Sequence, residues 1–185
     1  MAEGDSRMVV FNFPISPDHR LITLVQYNTL RATLTNFALT APLSRFVLPP
    51  ECAAIYQIPA DRLFPLPAAV PPTLAPTALQ LATPHEPWVD AVPDPDMRDN
   101  LLRHMDVLDQ DDLCCDLVGG LFEGFNEIEM RGIIVWNDPW RPEGWEMSDG
   151  FARKWGFLLK GCHRMVESTN RWRDQRGDDR LVIEV

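Results

Sequence analysis

This sequence has no recognisable leader. Met1 to Arg7 carry two acids ahead of any apolar run, without the basic start and apolar core of about 7–15 residues that secretion requires. Nor does any apolar stretch approach the roughly 20 residues of a membrane span, so the chain reads as soluble, intracellular and membrane-free. The four cysteines, Cys52, Cys114, Cys115 and Cys162, show no disulfide framework. Their spacing predicts buried free thiols in a reducing compartment.

A basic stripe is missing as well. Net charge is −10, with 6 basic and 10 acidic residues in positions 1–100 and 11 and 17 in the remainder. Phosphate backbones are repelled by such a surface. The stretch from Arg164 to Arg180 also contains Glu167, Asp174, Asp178 and Asp179, which makes it a solvated helix end.

Catalytic signatures are lacking too: there is no lysine-bearing phosphate loop, dinucleotide fingerprint, serine elbow or His-Glu-x-x-His pair. Cys162 and His163 are adjacent, but neighbouring helical side chains diverge and do not pair as nucleophile and base. Cys114 and Cys115 are too close for zinc-ligand spacing. His163 and Glu167 read as a solvated pair. Asp109, Asp111, Asp112 and Asp116 lack the pattern of a calcium loop and read as a charged helix start. No cofactor and no metal is expected.

What is present is core-forming material: 45% hydrophobic residues and six tryptophans, at a length suited to one domain. Ser16, Pro17 and Asp18 predict a helix start, and the run to about Thr40 is free of glycine and proline. One stripe of that helix holds Leu21, Leu24, Val25, Asn28, Ala32, Thr35 and Leu39; another holds Tyr27, Leu30, Leu34 and Phe37. Both are predicted to be buried, with Asn28 as a hydrogen-bonded internal amide.

Thirteen of the 17 prolines lie between Ala41 and Pro95. This segment is predicted to wrap the core irregularly, with a short turn near Pro50 to Tyr56 and a flexible section around Pro67 to Pro76. Asp94 and Pro95 open a helix carrying Met97, Leu101, Met105 and Leu108. Another runs from Asp109 through Leu113, Cys114, Leu117 and Val118 to Gly119.

Gly132–Trp136 and Leu181–Val185 are the strand candidates, predicted to pair with each other. Between them a long amphipathic helix from Ser148 carries Phe151, Trp155, Leu158, Leu159, Cys162, Met165, Val166 and Thr169. Its glycines, Gly150, Gly156 and Gly161, are expected to be compensated by close approach of a neighbouring element. The fold class that follows is mainly α, with a small two-stranded antiparallel ribbon and a long proline-rich wrapping segment. Residues 1–16 are expected to form a flexible N-terminus, 17–185 a single helical domain, and 41–95 its arm.

The tryptophans gather around one stretch. Trp136, Trp140 and Trp145 sit in a polar turn, where they clamp the following helix or line an apolar cleft. With Trp155, Asn170 and Trp172 they make up the candidate ligand or partner cleft.

Several segments together resemble a known family: His85-Glu-Pro-Trp-Val-Asp-Ala-Val-Pro, Pro95-Asp-Met-Arg-Asp-Asn-Leu-Leu, Asp112-Leu-Cys-Cys-Asp-Leu, Gly132-Ile-Ile-Val-Trp-Asn-Asp-Pro-Trp with Gly144-Trp-Glu, Phe151-Ala-Arg-Lys-Trp-Gly, and Ser168-Thr-Asn-Arg-Trp-Arg. They resemble the C-terminal domain of unknown function found in filamentous-fungal transcription factors of basic leucine-zipper (bZIP) type, over about Asp18 to Val185. The resemblance implies a nuclear protein acting in transcription and carries no known mechanism. Joined to the acidic charge and the missing catalytic signatures, it leads to the expectation of a regulatory module that docks protein partners or senses a small apolar molecule, with a homodimer left open. It carries over no catalytic residue.

Two departures stand out. Glu86 is inserted where the family reads His-Pro-Trp, so no turn-fixing role passes to His85. Met1 to Ser16 contain neither a basic cluster nor heptads, so the chain reads as an excised domain, a shortened product or a stand-alone relative, with no sequence-specific DNA binding of its own. The alternatives are a small enzyme assembled from distant residues such as Asp99, His104, Cys162 or His163, and a purely structural element that holds an oligomer together.

Overall fold

The computed structural model describes residues 17–43, 59, 62–117 and 132–183. Ser16, the turn expected near Pro50 to Tyr56, and the N-terminus 1–16 lie outside these residues. A glycine-free run lets α1 continue unbroken over Pro17–Thr40. Thr33, Thr35 and Thr40 return their hydroxyls to carbonyls one turn back, as Thr35 Oγ1 does to Arg31 O at 2.7 Å, so β-branched polar residues are satisfied inside a helix. Ala32, Thr35 and Leu39 are buried as predicted, whereas Tyr27 and Leu30 of the second stripe are exposed. The buried amide is Asn36, not the half-buried Asn28. Asn36 Nδ2 donates to Ala91 O at 2.8 Å and to Pro139 O at 2.7 Å, tying the arm and the later turn to one side chain.

The arm is pinned along its described length. Leu63 and Leu74 are buried, and Phe64 N donates to Thr35 Oγ1 at 3.0 Å. It contains a helix the prolines conceal, α2 over Ala78–Ala82, opened by a capping box in which Thr77 and Gln80 satisfy each other's backbone. At the end of the stretch expected to be flexible, Arg98 binds the carbonyls of Thr73 and Ala75. A 3-10 turn over Pro87–Ala91 follows. His85 does fix this turn despite Glu86: its Nδ1 lies 2.7 Å from Thr83 O and its Nε2 3.0 Å from Asp90 Oδ1.

Helix α3, Pro95–His104, starts as predicted, with Asp94 Oδ1 accepting from Asp96 N and Met97 N. Helix α4 spans Gln110–Leu117, with Leu113 buried. Strand β1, Ile133–Val135, pairs antiparallel with β2, Trp145–Met147, in the register Ile133↔Met147, Ile134↔Glu146, Val135↔Trp145. The ribbon is therefore a local hairpin. Leu181–Ile183 form no strand; instead the Asn170 side chain accepts from Leu181 N at 2.7 Å and donates to Leu181 O at 3.1 Å. One amide does for the C-terminus what a strand partner does for a ladder.

The long helix expected after Ser148 is broken in two. Helix α5, Asp149–Trp155, gives way to a 3-10 turn over Gly156–Leu159, and α6 runs from His163 to Arg176. Gly161 takes a φ of +84° at the break, a left-handed conformation that costs glycine little. Of the glycines where close approach was expected, a Cβ on Gly156 would have nothing within 4 Å, and one on Gly161 would stand 3.6 Å from the Asp96 side chain; a tighter approach occurs at Gly144, where a Cβ would stand 2.9 Å from Asp138 O. The ribbon lies between α1, which packs on β1, and α6, which packs on β2. Met97, Leu101, Met147, Phe151, Leu158 and Met165 fill the core around it.

Candidate functional site

Trp136 leaves β1 and turns outward, 40% exposed. Across the ribbon edge Trp172 rises from α6, and the two rings stand 5.6 Å apart at a 31° tilt. Arg176 lies 5.6 Å from the Trp136 ring centre and Arg171 5.9 Å from that of Trp172. The order across the surface is Arg171, Trp172, Trp136, Arg176, with cations capping the negative faces of the π systems.

The support beneath this row is polar and buried. Glu146, in the middle of β2, receives Arg176 on both oxygens at 2.9 and 2.5 Å and the Trp136 indole N–H at 2.7 Å. The hydrogen bonds that Arg176 donates to Glu146, and then the one it donates to Asp178, hold its guanidinium protonated even more firmly than usual. Beside it the carbonyl of Glu143 accepts from Ser168 Oγ, Arg171 Nη2 and Trp172 Nε1 at 2.6, 2.8 and 3.3 Å. Burial works to raise the Glu143 carboxyl, but Arg164 and then Arg171 outweigh it and hold the group below its ordinary range. Both indole N–H groups are thus spent internally. What faces solvent is aromatic surface and guanidinium edge, suited to an apolar or acidic partner side chain.

The family model described as a domain of unknown function (DUF3425) matches residues 59–167. The chain belongs to that family. No curated protein and no solved structure matches it. The DUF3425 match includes the arm from Pro59, the ribbon and the first turn of α6. Trp136, Glu143 and Glu146 fall inside it, and Arg171, Trp172 and Arg176 beyond it, a shorter span than the resemblance suggested.

Of the other cleft candidates in this DUF3425 chain, Trp145 and Trp155 are core residues. Trp145 donates to Pro139 O and Trp155 to Asp116 Oδ2, both at 2.8 Å. Trp140 is half-buried, and its carbonyl accepts from Thr73 Oγ1. Asn170 is the C-terminal latch described above. The structure brings Trp136 and Trp172 together and gives Trp145, Trp155 and Asn170 internal partners instead.

The residues considered for catalysis are not brought together: Asp99, His104 and Cys162 have separate surroundings, and His163 faces solvent. Asp99 accepts from Thr77 Oγ1 at 2.5 Å and from Arg103 at 3.3 Å. His104 Nδ1 meets Asn100 O at 2.8 Å and its ring meets Phe157 edge-on at 5.1 Å. Cys162 is buried beside Asp94, and burial first, then that carboxylate, drives its thiol far above the usual range. His163 is exposed, as is Glu167. Asp112 and Asp116 of the acidic run both hold Lys154 at 2.6 Å. Among the described residues no cluster of three His, Cys, Asp or Glu is placed to hold a metal ion, and no helix is long and apolar enough to cross a membrane.

Sequence reasoning overlooked the two buried arginines. Arg98 donates from Nε to Gln80 Oε1, from Nη1 to Thr73 O and Val92 O, and from Nη2 to Ala75 O, at 2.7–2.9 Å. Arg173 joins Asp149, Asp179 O and Met147 O. The signal for Arg98 was there: it adjoins Met97 and precedes Leu101 by three, which sets it on the apolar face of α3.

Proposed function

We propose that this DUF3425 chain is a regulatory docking module of a fungal bZIP-type transcription factor, nuclear, and acting in transcription regulation by binding a protein partner. The observation that carries this reading is the row Arg171, Trp172, Trp136, Arg176. Tryptophan and arginine are the side chains on which interface energy concentrates, and here they stand half-exposed on a rigid base with their polar groups already satisfied. The net charge of −10 supports a partner other than nucleic acid. The burial of Trp145 and Trp155 favours docking on the surface over enclosure of a small apolar ligand between the tryptophans.

The test is a reporter assay in a fungal host, with the full chain fused to an unrelated DNA-binding domain. Wild type is expected to shift reporter output, and the double variant W136A/W172A to lose that shift while keeping its circular dichroism and melting temperature within a few degrees. Unchanged output from the folded double variant sinks the docking face. Purified chain that binds duplex DNA with a steep salt dependence sinks the protein-partner reading altogether. Native mass spectrometry separates the two modes, since a small molecule released on unfolding would replace docking by sensing.

A further inference from the structure

Two sets of groups stand exposed with no part in the core: the α4 thiols Cys114 and Cys115, predicted to be internal, and the guanidinium of Arg171 on α6. Of these, Arg171 is held in place by its surroundings. Its Nη2 donates to Glu143 O at 2.8 Å and to Ser168 Oγ at 3.3 Å, and the guanidinium carbon lies 5.9 Å from the centre of the Trp172 ring.

The two arginines of the row differ in what they have left to offer. Arg176 gives Nε to Asp178 and both Nη atoms to Glu146, at 2.5–2.9 Å. Arg171 keeps Nε and Nη1 without an acceptor among the described residues, and it forms no ion pair there. The two nearby acids do not take it: the Glu143 carboxylate is bonded to Arg164, and Glu167, one turn earlier on α6, forms no ion pair with it. The row therefore has one end closed by carboxylates and one end open to them.

A guanidinium already fixed in position binds a carboxylate at a lower entropic cost than a free one, and the charge-assisted bonds that form are about twice as strong as neutral ones. A polyanion fits less well. Helix α6 and the turn after it also carry Glu167, Asp174 and Asp178, which repel a run of phosphates but admit a single acid. Resting on the docking role given to this row, we propose that its partner is an acidic–apolar protein segment: a carboxylate of the partner pairs with Arg171 while an apolar side chain beside it covers the rings of Trp172 and Trp136. Arg171 selects the partner, and Arg176 builds the platform.

The test is selection of short peptides from a random display library on the immobilised full chain, followed by fluorescence anisotropy of the synthetic peptides with wild type, R171Q, R171E and W136A/W172A. The selected peptides are expected to carry Asp or Glu within a few residues of an aromatic or aliphatic side chain. R171Q is expected to bind them about tenfold more weakly, the loss of roughly one charge-assisted contact, and with a shallower salt dependence. R171E is expected to bind more weakly still, and to recover about tenfold on the same peptide with its acid changed to arginine, a rescue that an altered fold does not give. Peptides that are lost in folded W136A/W172A, yet show no acidic enrichment or bind R171Q within about twofold of wild type, leave the docking reading standing and overturn this one. Peptides held equally well by W136A/W172A sit elsewhere and overturn both. Duplex DNA that displaces the peptides from wild type, and whose own binding is lost in R171Q, overturns the proposal in favour of nucleic acid.

Discussion

Two arginines hold down two difficult stretches of chain by opposite means. Arg98 is fully buried and takes three backbone carbonyls and the Gln80 amide oxygen. Burial pulls its pKa below the usual guanidinium value, against the raising influence of Asp90, Asp94 and Asp99. Arg176 is partly exposed, grips the Glu146 carboxylate bidentately, and has its pKa raised by that bond. Neutral dipoles can order a proline-rich arm only if all of them converge on one cation that has nowhere else to go. A carboxylate in a ribbon needs a single partner, and water can share the work.

The contrast predicts unequal costs. Arg98→Ala leaves three carbonyls and Gln80 without their donor, and is expected to lose about 3–5 kcal/mol in urea denaturation. Arg98→Lys is expected to recover less than half of that, because an ammonium lacks the planar fork that serves four acceptors. A loss below about 1 kcal/mol for the alanine variant would show that apolar contacts at Leu63 and Leu74 hold the arm without it. For Arg176→Ala the expected loss is about 1–2 kcal/mol, between the value of an exposed pair and that of a stranded buried charge, and it shrinks as salt is added. A salt-independent loss as large as that of Arg98→Ala would erase the distinction.

The same contrast explains what the sequence disclosed. Local chemistry was readable: Asp94 with Pro95 opened α3, the glycine-free run gave α1, and the β-branched Gly132–Trp136 stretch gave β1. Contacts between distant residues were not. Arg176 and Glu146 stand 30 residues apart, and nothing in either neighbourhood names the other. Strand β2 was hidden because Trp-Glu-Met has no β-branched residue, and its glutamate, which ordinarily marks solvent, is buried under Arg176. Leu181–Val185 looked the better partner by composition, but Asn170 already meets the backbone needs of Leu181. The break after Trp155 was masked because residues on both sides of it face one core, which preserves the periodicity across Gly156 to Gly161. On the candidate site, the tryptophan clustering drew attention to Trp136 and Trp172, whose rings do stand side by side. It could not show which indoles had found internal acceptors, and that sorts surface rings from core rings.

A smaller effect is expected at the surface row. Trp136→Ala removes a partly exposed ring and its contact with Trp172, worth about 0.5–1.5 kcal/mol, and leaves Glu146 paired with Arg176. If W136A destabilises the chain as much as R176A does, the row is a structural brace and its claim to be a docking face weakens accordingly.

The smallest effect concerns pH. Asp94 is buried while it caps α3, and burial raises its pKa against the lowering influence of the Met97 and Asp96 amides and Cys162. The folded chain therefore holds this proton more tightly than the unfolded chain does. Stability from this group is fully present below the ordinary aspartate value of about 4 and is lost as pH rises through the raised value. Glu143, held low by Arg164, acts in the opposite sense and loses its contribution on acidification. The informative quantity is the difference between Asp94→Asn and wild type across a pH series. Asparagine keeps the capping oxygen without the charge, so the variant is expected to match or exceed wild type above that range and to fall behind it below. A variant that is less stable by more than about 1 kcal/mol at neutral pH would show that the attraction of the carboxylate to the start of α3 outweighs the cost of burying it.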